Sequence, residues 1–169
     1  LLKNSAIEAV SWGSSLPTMG YNLTMDWKEK DNKILITDYY FAPDYLTVYS
    51  IKLKAGRFLT DEYPSDKEQA VVINDRTAAE LGYTDPVNKQ VLIRGKQYTI
   101  VGITDDYMAV PPIMEKMAQL ITYSRDVNEY LIIRVKPGNK EAVHQYITST
   151  LHKFNPDYPV EVRYHDDII

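Results

Sequence analysis

The sequence has no cysteine and only seven glycines in 169 residues. The first absence excludes disulfides, thiolate zinc sites, iron–sulfur centres and cysteine nucleophiles together, and leaves the compartment open. The second leaves little material for a phosphate-cradling loop, and no G-x-S-x-G, H-E-x-x-H, G-x-G-x-x-G or P-loop pattern occurs. Long apolar runs are also missing. The longest stretch without polar or charged side chains, residues 107–114, is eight residues and contains two prolines, against the roughly 20 apolar residues that span a bilayer. The chain as it stands therefore reads as soluble. Its 19 basic and 23 acidic side chains give a formal charge of -4 with no block of one sign, so nucleic acid is excluded as a partner for want of a concentrated basic face. The chain begins Leu1-Leu2-Lys3, without methionine or a signal-peptide pattern, which predicts an excised or processed piece of a longer protein.

What is present suffices for a packed core: 44% of the residues are hydrophobic, and the length fits one ordinary domain or two small ones. Fourteen tyrosines outnumber three phenylalanines and two tryptophans. Tyrosine suits edges and interfaces, where the ring is covered and the hydroxyl stays wet.

Periodicity and turn residues divide the chain. Ile7, Ala9, Val10 and Trp12 form a short β-like run, and Lys33 to Asp38 a second. Pro43 starts a short helix through Tyr49, followed by a strand near Ile51-Lys52-Leu53. The charged, turn-rich residues 60–68 form the best boundary. Beyond it, Ala70-Val71-Val72-Ile73 fits a buried strand, with Asn74 capping a helix from Asp75 to Leu81 that ends at Gly82. Gln90 to Ile93 and Tyr98 to Ile103 flank a hairpin turn that contains Gly95. Residues 113–118 read as a helical turn, 120–123 as a strand, and 130–135 as a clearer strand. Asn139 is placed to cap a helix to about Phe154, with Val143, Ile147, Leu151 and Phe154 on one stripe. Val160, Val162 and Tyr164 alternate with Glu161 and Arg163 as a final strand.

The expected fold class is α+β: a split β-α-β/β-α-β lobe built from residues 1–62 and 125–169, with an inserted β-rich lobe at 66–124. Strands 34–36, 132–135 and 160–162 should share one sheet, and 71–73 and 98–103 belong to the other lobe.

Candidate chemistry is sparse. His144 and His152 are eight residues apart on the last helix, about 80° apart around its axis, and do not converge on one ion. His165-Asp166-Asp167 carries hard-ligand chemistry, but neighbours on a strand point to opposite faces. Asp105-Asp106 invites comparison with a carboxylate hydrolase or a magnesium site; the plain alternative is a turn in which carboxylates accept backbone N–H bonds. Asn22-Leu23-Thr24 matches the glycosylation sequon, a pattern short enough to arise by chance. No catalytic, cofactor-binding or metal residue is assigned, no cofactor is expected, and the chain is read as not an enzyme.

Four segments together resemble one family. Asp44-Tyr45 and the helix after it, followed by Ile51-Lys52-Leu53-Lys54-Ala55-Gly56-Arg57-Phe58, are similar to the I-x-L-x-x-G-R-x-F block of the MacB-like periplasmic core domain. Val71-Val72-Ile73-Asn74-Asp75 with Ala78, Gly82, Pro86 and Lys89 resembles its next block, a strand, a capped helix and a G-x-x-x-P-[IV]-G-K turn. Ile100-Val101-Gly102-Ile103-Thr104-Asp105-Asp106-Tyr107 resembles its I-V-G-V-x-x-D-[FY] strand, and 130–154 its closing strand and helix. The pattern departs at Ser50 and Asn88, where the family has glycine. The Gly56-Arg57 pair reads physically as a tight bend followed by a fork able to pin carbonyls or a carboxylate between lobes.

The resemblance implies a "porter" lobe with an inserted "sabre" lobe, placed between two transmembrane helices of an FtsX-like ABC transporter permease at the periplasmic face of the bacterial inner membrane. It implies as partners the transmembrane helices of the same polypeptide, an ATP-binding cassette subunit or domain, a second permease copy in a dimer, and a periplasmic partner. The expected role is non-catalytic transmission of ATP-driven movement. The rival from another class is a small-ligand or peptide-binding module using a tyrosine-rich cleft between lobes.

Overall fold

The computed structural model describes residues 1–13, 21–26, 33–41, 44–93, 95–105, 118–123, 130–138, 140–157 and 159–164. The elements in chain order are β1 (Ile7–Gly13), β2 (Tyr21–Asp26), β3 (Lys33–Phe41), α1 (Tyr45–Tyr49), β4 (Leu53–Gly56), α2 (Asp66–Gln69), β5 (Ala70–Asn74), α3 (Asp75–Leu81), β6 (Gln90–Ile93), β7 (Lys96–Thr104), β8 (Gln119–Tyr123), β9 (Tyr130–Val135) and α4 (Lys140–Phe154). This is an α+β chain with mixed strand pairing. It divides into two compact units, Ser11–Ile132 and Leu1–Val10 with Ile133–Ile169.

In the larger unit β5 is buried at all five positions, as its unbroken apolar run requires once both faces are covered. Val71 and Ile73 pack with Leu81, Val91, Ile100 and Leu120, whereas Ala70 and Val72 pack with Tyr45, Leu59, Ile121 and Tyr123. Helix α3 therefore serves one cluster through Leu81, and α1 serves the other through Tyr45. Strand β5 pairs parallel with β7 and antiparallel with β8, β8 parallel with β3, β3 antiparallel with β2, β2 antiparallel with β6, and β6 antiparallel with β7. These six strands return to their starting point, which removes the open edge that an unclosed sheet would present.

One bulge sets the faces of β7. Val71 stands opposite Ile100 but Val72 opposite Gly102, so one residue of β7 is extra. Ile100 and Ile103 consequently reach the same cluster although they are three positions apart, and Val101 turns to the other. Simple alternation would have split the two isoleucines.

Most elements lie where the sequence pattern places them. The β6–β7 hairpin pairs Ile93 with Lys96, and Gly95 in its turn is at φ 76°. Helix α3 is capped by Asn74 and ends on Gly82 at φ 67°. Two features differ. Strands β3 and β5, expected in separate sheets, are joined through β8; the β3–β8 pairing is parallel and distant in the chain, and such a pair leaves no hairpin signal to read. Residues 60–68, expected as a boundary, run into the single-turn helix α2, whose first residue Asp66 is buried.

The smaller unit is organised by α4. Val143 and Ile147 are buried against Ile7, with Ile133, Val135, Leu151 and Val162 packed around them. An ion pair joins Arg134 to Glu8 at 3.0 Å, and the Lys136 N–H donates to the Ala6 carbonyl at 2.9 Å. The stripe read from the sequence stops one residue early, because Phe154 is 84% exposed. Residues 159–164 are not a strand, although Val160, Val162 and Tyr164 are half-buried and their neighbours exposed, as alternation suggested. Alternation reports which side chains face the protein; a strand also needs a partner backbone. Asn139 and residues 113–117 lie outside the described residues.

The helix stripe supplies a direct comparison. Ile147→Ala should lower the unfolding free energy by about 3 kcal/mol, the scale of a buried large-to-small change, and Phe154→Ala should stay within about 0.5 kcal/mol. Urea denaturation of the two variants measures both.

Candidate functional site

Strand β4 is exposed along its length, yet its end is held closely. Gly56 stands opposite Gly102 of β7, and the Arg57 N–H donates to the Val101 carbonyl at 2.9 Å. A Cβ on Gly56 would lie 2.2 Å from the Val101 oxygen, and one on Gly102 would lie 2.1 Å from the Arg57 oxygen. Neither strand admits a side chain at the crossing. Gly56 is also at φ 71°, a conformation that other residues adopt at a cost.

From this crossing the Arg57 guanidinium folds back over the following loop. Nη1 donates to the Phe58 carbonyl at 3.1 Å and to Asp66 Oδ2 at 2.5 Å, and Nη2 donates to Asp66 Oδ1 at 2.7 Å. The Thr60 N–H donates to Asp66 Oδ2 at 3.1 Å, and the Tyr63 ring lies 4.1 Å from the guanidinium carbon. The Asp66 side chain is wholly buried, while that of Arg57 is 35% exposed. The hydrogen bond to Asp66 raises the Arg57 pKa above its ordinary value, against the opposing effect of burial. The Tyr123 hydroxyl donates to Asp61 of the same loop, and burial pushes the Tyr123 pKa upward. Both oxygens of Asp66 are engaged, so the cluster works as a fastener that closes residues 57–66. The sequence identified the fork of Arg57 as able to hold a carboxylate; it did not single out Asp66, which sits in a stretch rich in acidic residues.

A second fastener was half legible. Asn74 Oδ1 accepts from the Thr77 N–H at 3.0 Å, as a helix cap should, and also from the Gln119 N–H at 2.9 Å. Thr77 Oγ1 donates to the Gln119 carbonyl at 2.9 Å. All three residues are buried, so α3, β5 and β8 are tied through polar groups inside the core. Asn74 carried a cap signal, whereas nothing in the sequence marked Gln119.

The other sequence candidates are placed as follows. Asp105 Oδ1 accepts from the Lys52 N–H at 3.3 Å, and the Asp105 N–H donates to the Lys52 carbonyl at 3.0 Å; the carboxylate takes a backbone N–H, but from a residue distant in the chain rather than within a turn. His144 lies against Tyr164, and His152 is exposed. Asn22 of the sequon lies in β2 opposite Thr37. Asp106, His165, Asp166 and Asp167 lie outside the described residues. Among the described residues no three histidine, aspartate or glutamate side chains are grouped to hold a metal ion.

One partner of each fastener, Arg57 in the first and Asn74 in the second, lies in a block that carried the resemblance, and Asp66 and Gln119 lie outside those blocks. A family model, the MacB-like periplasmic core domain, matches residues 2–150. The chain belongs to this family. As a MacB-like periplasmic core domain it is the periplasmic or extracellular part of an ABC transporter permease, and it is non-catalytic. The fold is similar to that of the periplasmic region of MacB from Actinobacillus actinomycetemcomitans, at 16% identity and a TM-score of 0.68, covering 98% of this chain and 76% of that one. It is also similar to the extracellular domain of the noncanonic ABC-type transporter YknZ from Gram-positive bacteria, at 17% identity and a TM-score of 0.62, covering 90% of this chain and 78% of that one. No curated protein matches the chain in sequence. No helix among the described residues is long and apolar enough to cross a membrane.

The two departures of this MacB-like domain from its family pattern fall at informative places. Ser50 is at φ 55° and Asn88 at φ 66°. Both occupy the left-handed region, where glycine is the unstrained residue. Ser50 ends α1, and the following Ile51 N–H reaches back to the Leu46 carbonyl at 2.9 Å, as in a Schellman end.

Two expectations follow from these contacts. Arg57→Ala leaves the buried Asp66 carboxylate without its cation and should cost about 3 kcal/mol; Arg57→Lys should recover only part, because an ammonium cannot span both oxygens. Ser50→Gly should raise stability by about 1 kcal/mol by removing left-handed strain, and Asn88→Gly by less, since asparagine tolerates that region better. Thermal unfolding read by circular dichroism tests all four variants.

Proposed function

We propose that this domain transmits ATP-driven movement of the transmembrane helices of its own polypeptide to substrate export or to a periplasmic partner. In this reading it stands at the periplasmic face of the bacterial inner membrane. It works in a permease dimer whose ATP is hydrolysed in the cytoplasmic cassette subunit or domain. The observation that carries the reading is the use made of the family blocks. Gly56, Arg57 and Gly102, with Asp66 as the partner of Arg57, are spent on holding backbones together. A domain that carries movement needs such fasteners, because a displacement applied at one place reaches another only through elements that do not yield.

The domain has no cysteine of its own, so one introduced into it is the only label site within it. Spin labels at Lys67→Cys in the two copies of the domain, within the full permease dimer and its cassette, report a distance by pulsed electron resonance. That distance should change between the nucleotide-free and nucleotide-trapped states. An unchanged distribution across the nucleotide cycle would contradict the proposal.

A further inference from the structure

Residues 159–164 are joined to α4 in an unusual way. They form no strand, yet their side chains alternate between half-buried and exposed. Val162 packs into the cluster around Val143 and Ile147. Tyr164 lies on the first turn of α4: its hydroxyl donates to the Lys140 carbonyl at 3.2 Å and lies 3.2 Å from His144 Nδ1. Its ring is inclined 30° to the His144 ring with centroids 6.1 Å apart, and Lys140 Nζ stands 3.9 Å from its centroid. Lys140 is the first residue of α4, where the helix dipole disfavours a cation. The face of Tyr164 offsets that disadvantage by cation–π attraction. A strand zipped into a sheet is held by a row of cooperative backbone bonds. A segment anchored through Val162 and Tyr164 can open locally, without unfolding the helix beneath it.

We infer that residues 159–164 are a reversible strap, latched at Tyr164 onto the first turn of α4. The use of the strap rests on the mechanical reading above: while latched it joins movement of the C-terminal segment to α4, and when released it lets that segment move alone. The latch itself is independent of that reading.

Trypsin cleavage after Arg163 in the whole chain, alongside amide hydrogen exchange of α4, tests the latch, because cleavage requires the segment to open while the helix amides report whether α4 stays folded. Tyr164→Ala should speed that cleavage by about tenfold relative to a free peptide of the same sequence, the scale of one lost cation–π contact and one hydrogen bond together. Peptides covering 143–151 should change their hydrogen exchange by less than about twofold, because α4 remains folded. Lys140→Met, which removes the ammonium and keeps the stem, should give a smaller acceleration of the same cleavage. Unchanged cleavage in both variants, or equally faster exchange throughout α4, overturns the latch. The same cleavage in the full permease with its cassette, without nucleotide and with nucleotide trapped, tests its use. A nucleotide-dependent rate supports it. Equal rates in the two states, with the variants behaving as expected, leave the latch standing and reject its mechanical use alone.

Discussion

Where Gly56 faces Gly102, two backbones approach so closely that a carbonyl oxygen occupies the place each missing side chain would take. Much of the larger unit depends on that approach. It allows the Arg57 N–H to bond to Val101, which places the guanidinium over the loop that Asp66 closes. It also coincides with the bulge that directs Ile100 and Ile103 into one cluster and Val101 into the other. One steric constraint thus sets the end of β4, the faces of β7 and the start of the charged loop.

The polar residues that draw the eye as chemistry serve the same end. Asp66 is held by three hydrogen bonds, Asn74 joins β5 to both α3 and β8, and Asp105 ties the start of β4 to the end of β7. Asp66 and Asn74 are buried, and the bonds they accept come from other parts of the fold, so their polar groups act as joints between elements. The family's role as a non-catalytic transporter domain agrees with this use of its residues.

Legibility followed the range of the interactions. The cap at Asn74, the stop at Gly82 and the hairpin at Gly95 are each set by a few adjacent residues, and each could be read. Ser50 and Asn88 could be recognised as substitutes for glycine, and the left-handed backbone at both gives the reason glycine is usual there. The pairing of β3 with β8, the choice of Asp66 among several nearby acids and the second bond to Asn74 from Gln119 join distant parts of the chain. Phe154 shows the limit inside a single helix: its spacing matched the buried stripe, but its side chain stands exposed.

The sequence by itself determined the local elements, the apolar faces, the positions that need glycine and, through four ordered blocks, the family. Those properties depend on backbone preference and side-chain period, which act over a few residues. Tertiary structure alone decided that six strands close upon themselves, that Arg57 takes Asp66, and that Val162 and Tyr164 lie against α4 rather than in a sheet. Each of those outcomes depends on which distant backbone or charge arrives at a given place, and a local pattern carries no record of arrival.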